Sequence, residues 1–314
     1  MRCRAALLGI AVLLLSACAT PPQTAALHAN PPTRAPVELT GVPFFPQEAY
    51  QCGPAALATV LGWSGTTVTP DALTPQVYVP ARQGSLQVEL LGAARRQDRV
   101  PYVIEPRLSA LLDELYAGHP VLVLLNLGLS WYPAWHYAVV VGYDPATDRM
   151  IMRSGRIKRD TLRVAVFERT WARSGYWGLL VLPPDQLPAT AQELPYLQAV
   201  AELERLQLWK PAETAYETAV KRWPTSLGAL LGLGNTRYAH GDLKGAAAAL
   251  RRAVTAHPDA APAFNNLAQV LAEEGHYREA ERAIKKALAI GGPLQETYQQ
   301  THRQIQQRQH ALKH

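Results

Sequence analysis

The chain has 314 residues, of which 48% are hydrophobic and 18% charged, with a formal net charge of +6. That length suits about two domains, and that balance excludes a wholly disordered chain. The basic residues show no interleaving with aromatics of the kind nucleic-acid binders use, so no nucleic-acid partner is expected.

The N-terminus reads as a targeting signal rather than as structure. Arg2 and Arg4 precede an apolar run from Leu7 to Leu15, which is shorter than the ~20 residues that span a bilayer. It closes on Leu15-Ser16-Ala17-Cys18, which resembles a bacterial lipobox. The resemblance implies a lipoprotein signal peptide over 1–18 ending at lipidated Cys18, with removal of the peptide before Cys18 and stable anchoring by more than one acyl chain. Ala19 follows Cys18, and by the usual sorting rule the expected location is the outer membrane, facing the periplasm. Of the 3 cysteines, Cys3 leaves with the signal and Cys18 carries lipid, so Cys52 is expected to be the only free thiol of the mature chain.

Residues 19–38 are rich in Pro, Ala and Thr and read as a flexible tether. The first folded domain is expected over 39–184. Gly53 to Leu61 is apolar on nearly every face and reads as a buried helix. Ser85 stands at an N-cap position for a helix reaching Arg96, and Leu108 to Tyr116 is another amphipathic helix. Strand candidates are Pro101 to Ile104, Val121 to Leu127, His136 to Tyr143, Met150 to Arg153, Thr161 to Phe167 and Tyr176 to Leu182. Helices first and a meander of strands after them indicate an α+β domain with an antiparallel sheet.

Prolines mark a linker over 185–192, after which the chain becomes rich in Ala, Leu and Glu and repeats itself. Ala212, Ala246 and Ala280 are 34 apart, as are Ala219, Ala253 and Ala287. Tyr216, Leu250 and Ile284 keep the same register, and so do Gly241 and Gly275, with Gln207 where the first unit lacks its glycine. Leu230, Leu233 and Gly234, and then Phe264, Leu267 and Ala268, sit at matching positions of successive units. The pattern resembles three tetratricopeptide repeats over 193–294, an all-α solenoid, with the polar stretch 295–314 as a capping helix and tail. That resemblance implies a protein partner on the repeats.

The chemistry-bearing stretch is Val42 to Leu61, with Cys52-Gly53-Pro54 at the start of its helix. A helix N-terminus favours a thiolate through the dipole and the unpaired N–H groups, Gly53 permits close backbone approach, and Pro54 suits the first turn. A thiol nucleophile needs a base. Between the tether and the repeats only His119 and His136 are available, and His136 follows an aromatic approach of Trp131, Tyr132, Pro133 and Trp135. The histidines of the repeats and tail form no metal-ligand box, and neither metal nor cofactor is expected.

Gln47, then Cys52-Gly53-Pro54-Ala55-Ala56, then Gly84-Ser85, then His136 to Tyr143 with the string HYAVVVGY, together resemble the bacteriocin-processing, double-glycine leader peptidases. These are papain-like cysteine peptidases. The resemblance spans most of 41–182 and implies Cys52 as nucleophile, His136 as base and acid, a thiolate–imidazolium pair, and Gln47 as oxyanion donor with the Cys52 N–H. Two features depart from the family. Gln47 lies five residues before Cys52 where many relatives have six, and the window that normally supplies Asp or Asn reads Met152-Arg153-Ser154-Gly155, leaving Ser154 for the orienting role. Three readings follow: an envelope-anchored cysteine peptidase with partner-recruiting repeats, a non-catalytic peptide-binding adaptor on the same fold, and a thiol amidase or acyltransferase acting on cell-wall or other amides.

Overall fold

The computed structural model describes residues 20–31, 33–47 and 51–311. The expected signal segment, with Cys18 and its lipidation, lies outside the described residues. By its internal contacts the chain divides into two units. One holds most of the first 181 residues, and the other holds 191–314.

The first unit begins with helix α1 (Pro22–Ala29) and the short strand β1 (Val37–Glu38). This corrects the expectation of a flexible tether over 19–38. The cause is Glu168, a fully buried carboxylate that accepts the N–H of Gln23 at 3.0 Å and the Thr24 hydroxyl at 2.6 Å. It thereby caps the open N–H groups of α1 with a negative charge, where the helix dipole favours one. Farther along, β1 pairs with the sheet through Val37↔Tyr143 and Glu38↔Gly142.

Next come α2 (Cys52–Trp63), α3 (Pro70–Val77), the hairpin of β2 (Tyr78–Val79) with β3 (Gly84–Ser85), α4 (Gln87–Arg96), β4 (Val100–Val103) and α5 (Leu108–Tyr116). The polar, proline-containing α3 does not show in the apolar periodicity. It is set by Pro70 in its first turn and by Thr69, whose hydroxyl accepts the Ala72 N–H. Ser85 is not the N-cap of α4. Leu86 holds that position without a side-chain cap, and Ser85 belongs to β3.

The antiparallel meander consists of β5 (Val121–Asn126), β6 (Trp135–Asp144), β7 (Arg149–Ser154) and β8 (Ile157–Arg163), and after helix α6 (Val164–Ala172) comes β9 (Gly178–Leu182). The strands lie in the order β9-β5-β6-β7-β8, and β1 also pairs with β6. The strand expected over Thr161–Phe167 is divided: residues to 163 complete β8, and Val164 opens α6. Every residue of β5 is buried, as is every residue of β6 from Tyr137 to Tyr143. Successive strand residues point to opposite sides, so both faces of the sheet are covered. On one face α2 packs Leu57, Val60 and Leu61 with Leu122, Leu124, Tyr137, Val139 and Val141 in a single apolar cluster. That packing fixes the N-terminus of α2 at the start of β6.

The second unit is a run of paired helices: α7 (Glu193–Arg205) with α8 (Trp209–Arg222), α9 (Leu227–Ala239) with α10 (Leu243–Ala256), and α11 (Ala261–Glu273) with α12 (Tyr277–Ile290). A further helix, α13 (Gln295–Ala311), buries Tyr298, Thr301 and Ile305. Ala212, Ala246, Ala280, Ala219, Ala253 and Ala287 are all fully buried, so their small size is used for close helix approach. Gly241 and Gly275 turn the chain between paired helices with φ of 92° and 82°. Gln207 occupies the same turn of the first pair with φ of 59°, a left-handed conformation that costs a residue with a Cβ. Replacing it with glycine, Gln207→Gly, is expected to stabilise the second unit by about 1 kcal/mol. The measurement is the urea midpoint followed by helical circular dichroism; a fall in that midpoint would contradict the strain.

Candidate active site

Cys52 is the first residue of α2, half-buried in the wall of a cleft of about 850 Å³. Gln47, Ser85, Leu124, Trp135, His136 and Tyr137 line the same cleft. The fold therefore brings three of the expected site residues, Cys52, His136 and Gln47, to one place. Cys52 arrives on the buried helix, His136 on the first turn of pleat in β6, and Gln47 on the approach to the helix.

Gln47 is held by its backbone. Its N–H donates to the Gly155 carbonyl at 3.0 Å, in the β7–β8 turn next to Ser154. Residues 48–50, which set its unusual spacing from Cys52, lie outside the described residues.

His136 Nε2 lies 3.0 Å from Ser154 Oγ. The two side chains are diagonal neighbours across β6 and β7, since Val139 pairs with Arg153 and the chains run antiparallel. With the proton on Nε2 donated to Ser154, Nδ1 keeps its lone pair for a thiol proton. The competing histidine is engaged elsewhere: His119 Nδ1 is 2.6 Å from Glu114, a buried carboxylate that also accepts from Ala189 and Thr190. His119 thus belongs to a buried polar network, not to the cleft.

The electrostatics of the pair differ from the thiolate–imidazolium expectation. Burial pushes the Cys52 thiol up, against the downward pull of the backbone N–H groups of Tyr137, Gly53 and Cys52 itself. Burial likewise pushes the His136 imidazole down, and the Asp160 carboxylate opposes it. Loss of hydration penalises each charged form, and here it outweighs the helix N-terminus. Both shifts favour the neutral thiol and the neutral imidazole over the charged pair.

Asp160 was not singled out by the sequence. It lies in β8, opposite Met152, six residues beyond Ser154, which stands in the window where the orienting acid was expected. The signal that finds it is three-dimensional: the β7–β8 hairpin folds it back to the strand that carries Ser154. Gly53 also acts differently from expectation. A Cβ there would stand 2.2 Å from Ser85 Oγ and 2.5 Å from Ser85 Cβ, so its bareness admits β3 rather than a substrate backbone.

Trp135, with Pro133 and Ala134, forms the wall of the cleft beside His136, while Trp131 and Tyr132 are exposed. Among the described residues no cluster of His, Cys, Asp and Glu could hold a metal ion, and no helix is long and apolar enough to cross a membrane.

Residues 39–178 match the Peptidase_C39 like family, and residues 237–305 match the Tetratricopeptide repeat family. Among solved structures, a protein described as a C39-like peptidase from Bacillus anthracis is 17% identical, over 48% of this chain and 98% of its own, with a TM-score of 0.41. The TPR2B domain of yeast Sti1, solved as a complex with pHsp70, is 18% identical over 34% of this chain and 90% of its own, with a TM-score of 0.34. The Yersinia enterocolitica type III secretion chaperone SycD, in complex with a peptide of the translocator YopD, is 15% identical over 36% of this chain and 92% of its own, with a TM-score of 0.34. No curated protein matches the chain.

A raised thiol has a direct consequence in solution. The rate of Cys52 alkylation by iodoacetamide should rise with pH and reach half its maximum above the range of an exposed thiol. Ser154→Asp would put a carboxylate at Nε2, favour the imidazolium, and so favour the thiolate, increasing alkylation at neutral pH about tenfold. Mass-spectrometric time courses at a series of pH values read both effects. An ordinary midpoint in the wild type, or no response to Ser154→Asp, would contradict the assignment.

Proposed function

From a chain that carries a C39-like peptidase domain and, after it, tetratricopeptide repeats, we infer a cysteine peptidase anchored in the bacterial envelope. The observation that carries this reading is the placement of Cys52 and His136 on one cleft, with the far ring nitrogen of His136 bonded to Ser154. In the proposed reaction His136 Nδ1 takes the Cys52 proton and the sulfur attacks the peptide carbonyl. Gln47 and the Cys52 N–H receive the oxyanion. As the tetrahedral species collapses, the C–N bond breaks and His136 returns the proton to the leaving amine. Water, deprotonated by His136, then cleaves the thioester and restores the thiol. Ser154 holds the ring, and Asp160 supplies the negative charge that offsets the forming imidazolium.

The repeats are proposed to recruit a protein partner or the substrate itself, since stacked helix pairs present extended surfaces suited to peptide binding. Lipid at Cys18 is proposed to hold the whole at the outer membrane, facing the periplasm. A second reading, a peptide-binding adaptor, draws support from the raised thiol and from a serine in place of the usual acid. A thiol amidase or acyltransferase would use the same nucleophile with a different acceptor.

The deciding experiment is hydrolysis of a peptide library by the purified chain, with product analysis. The peptidase reading expects cleavage that falls at least about a thousandfold in Cys52→Ser and at least about a hundredfold in His136→Ala. Equal turnover in all three proteins would sink it. Binding without turnover would favour the adaptor, and release or transfer from non-peptide amides would favour the third reading.

A further inference from the structure

The wall of the Cys52 cleft carries charge of one sign. Arg82 and Arg173 both line it, and among its described residues there is no Asp or Glu. Asp160, which acts on His136, stands outside the lining, and so does Glu89 in the first turn of α4. Leu124, Pro133 and Trp135 give the cleft apolar walls. Walls of low dielectric concentrate the field of like charges that share a cleft and draw the opposite charge into it.

The two arginines reach the cleft from separate elements, each fixed in the fold. Arg82 is exposed in the turn Pro80–Arg82 that joins β2 to β3. That turn is closed by the pairs Tyr78↔Ser85 and Val79↔Gly84 and by the Gln83 N–H, which donates to the Pro80 carbonyl at 3.0 Å. The β3 arm rests on the first turn of α2, where a Cβ on Gly53 would stand 2.5 Å from Ser85 Cβ. Arg82 precedes Ser85 by three residues, so their Cα atoms lie within about 11 Å, a span that an extended peptide covers in about three residues. Arg173, just past the end of α6, donates through Nη1 to the carbonyls of Asn126 and Gly128 at 3.1 and 2.8 Å, which holds it against the segment that carries Pro133, Ala134 and Trp135 into the lining. Among the described residues neither guanidinium has a carboxylate partner, and that of Arg82 bonds nothing.

We propose that the Cys52 cleft selects acidic peptide segments, with Arg82 and Arg173 pairing with carboxylates of the substrate on the way to the bond that Cys52 attacks. The proposal rests on the peptidase reading above and names its substrate class. A guanidinium without a partner offers a carboxylate two parallel N–H donors, a geometry that a neutral amide does not match. A basic peptide meets two like charges in the same cleft and is turned away.

The test uses the full chain and synthetic peptides of one leucine- and glycine-containing frame, which differ only in carrying Glu, Gln or Lys about three residues to either side of the cleaved bond. Wild type is expected to cleave the Glu peptide with a kcat/KM at least about fivefold above that of its Gln twin, an advantage that shrinks as salt rises. Arg82→Gln is expected to bring that ratio toward one, and Arg82→Glu to turn the preference to the Lys peptide. The Gln peptide reads each variant's own turnover, so the ratio separates specificity from stability. Equal cleavage of the Glu and Gln peptides, or a ratio unmoved in Arg82→Glu, overturns the acidic specificity and leaves the peptidase standing. If no peptide is cleaved, the peptidase reading falls by itself, and fluorescence anisotropy of the same peptides on the Cys52→Ser chain decides the cleft. Tighter, salt-sensitive binding of the Glu peptide upholds the acidic preference, and equal or weaker binding overturns it.

Discussion

The site depends on the packing of α2 against the start of β6. Leu57, Val60 and Leu61 share one apolar cluster with Tyr137, Val139 and Val141, and this brings the sulfur of Cys52 to the wall of the cleft that His136 also lines. The same burial strips water from both groups and pushes their protonation toward the neutral forms. Position and reactivity thus have one cause. A better-buried helix holds Cys52 more firmly and makes its thiolate harder to form, so a charged Cys52–His136 pair needs compensation from Ser154, Asp160 and the N–H groups around the sulfur.

Much of this was legible in the chain. The apolar run after Cys52 and the unbroken HYAVVVGY string report segments covered on all sides, and both proved to be buried elements of one core. The repeats were legible because close helix packing admits only small residues at fixed positions, and the alanines 34 apart are the fully buried ones. What escaped has physical reasons. The 19–38 segment has little apolar surface, yet α1 is docked by hydrogen bonds to Glu168, 144 residues from Thr24, a contact without any periodic signature. Helix α3 is polar and short. The division of Thr161–Phe167 between β8 and α6 falls inside a run whose alternation suits a strand throughout, and only the tertiary fold ends it.

The candidate site shows the same division. Cys52 and His136 were marked by their neighbours in sequence, and Ser154 by its position, with the hydrogen bond to His136 now visible. Asp160 was not, because its effect on His136 passes through the β7–β8 hairpin rather than through sequence spacing. The sequence offers His119 and His136 alike as bases; the buried Glu114 bonded to His119 separates the two. Gln207 is an informative irregularity, a side chain kept in a turn that its sister repeats give to glycine.

The central claim is that Cys52 reacts because His136 serves it. It is most directly tested by covalent trapping with a peptidyl vinyl sulfone, mapping the adduct by mass spectrometry in the wild type, His136→Ala and His119→Gln. The account predicts a single adduct on Cys52, formed at least about a hundredfold more slowly without His136 and at an unchanged rate in His119→Gln. An adduct that forms as fast without His136, or that depends on His119, would contradict it.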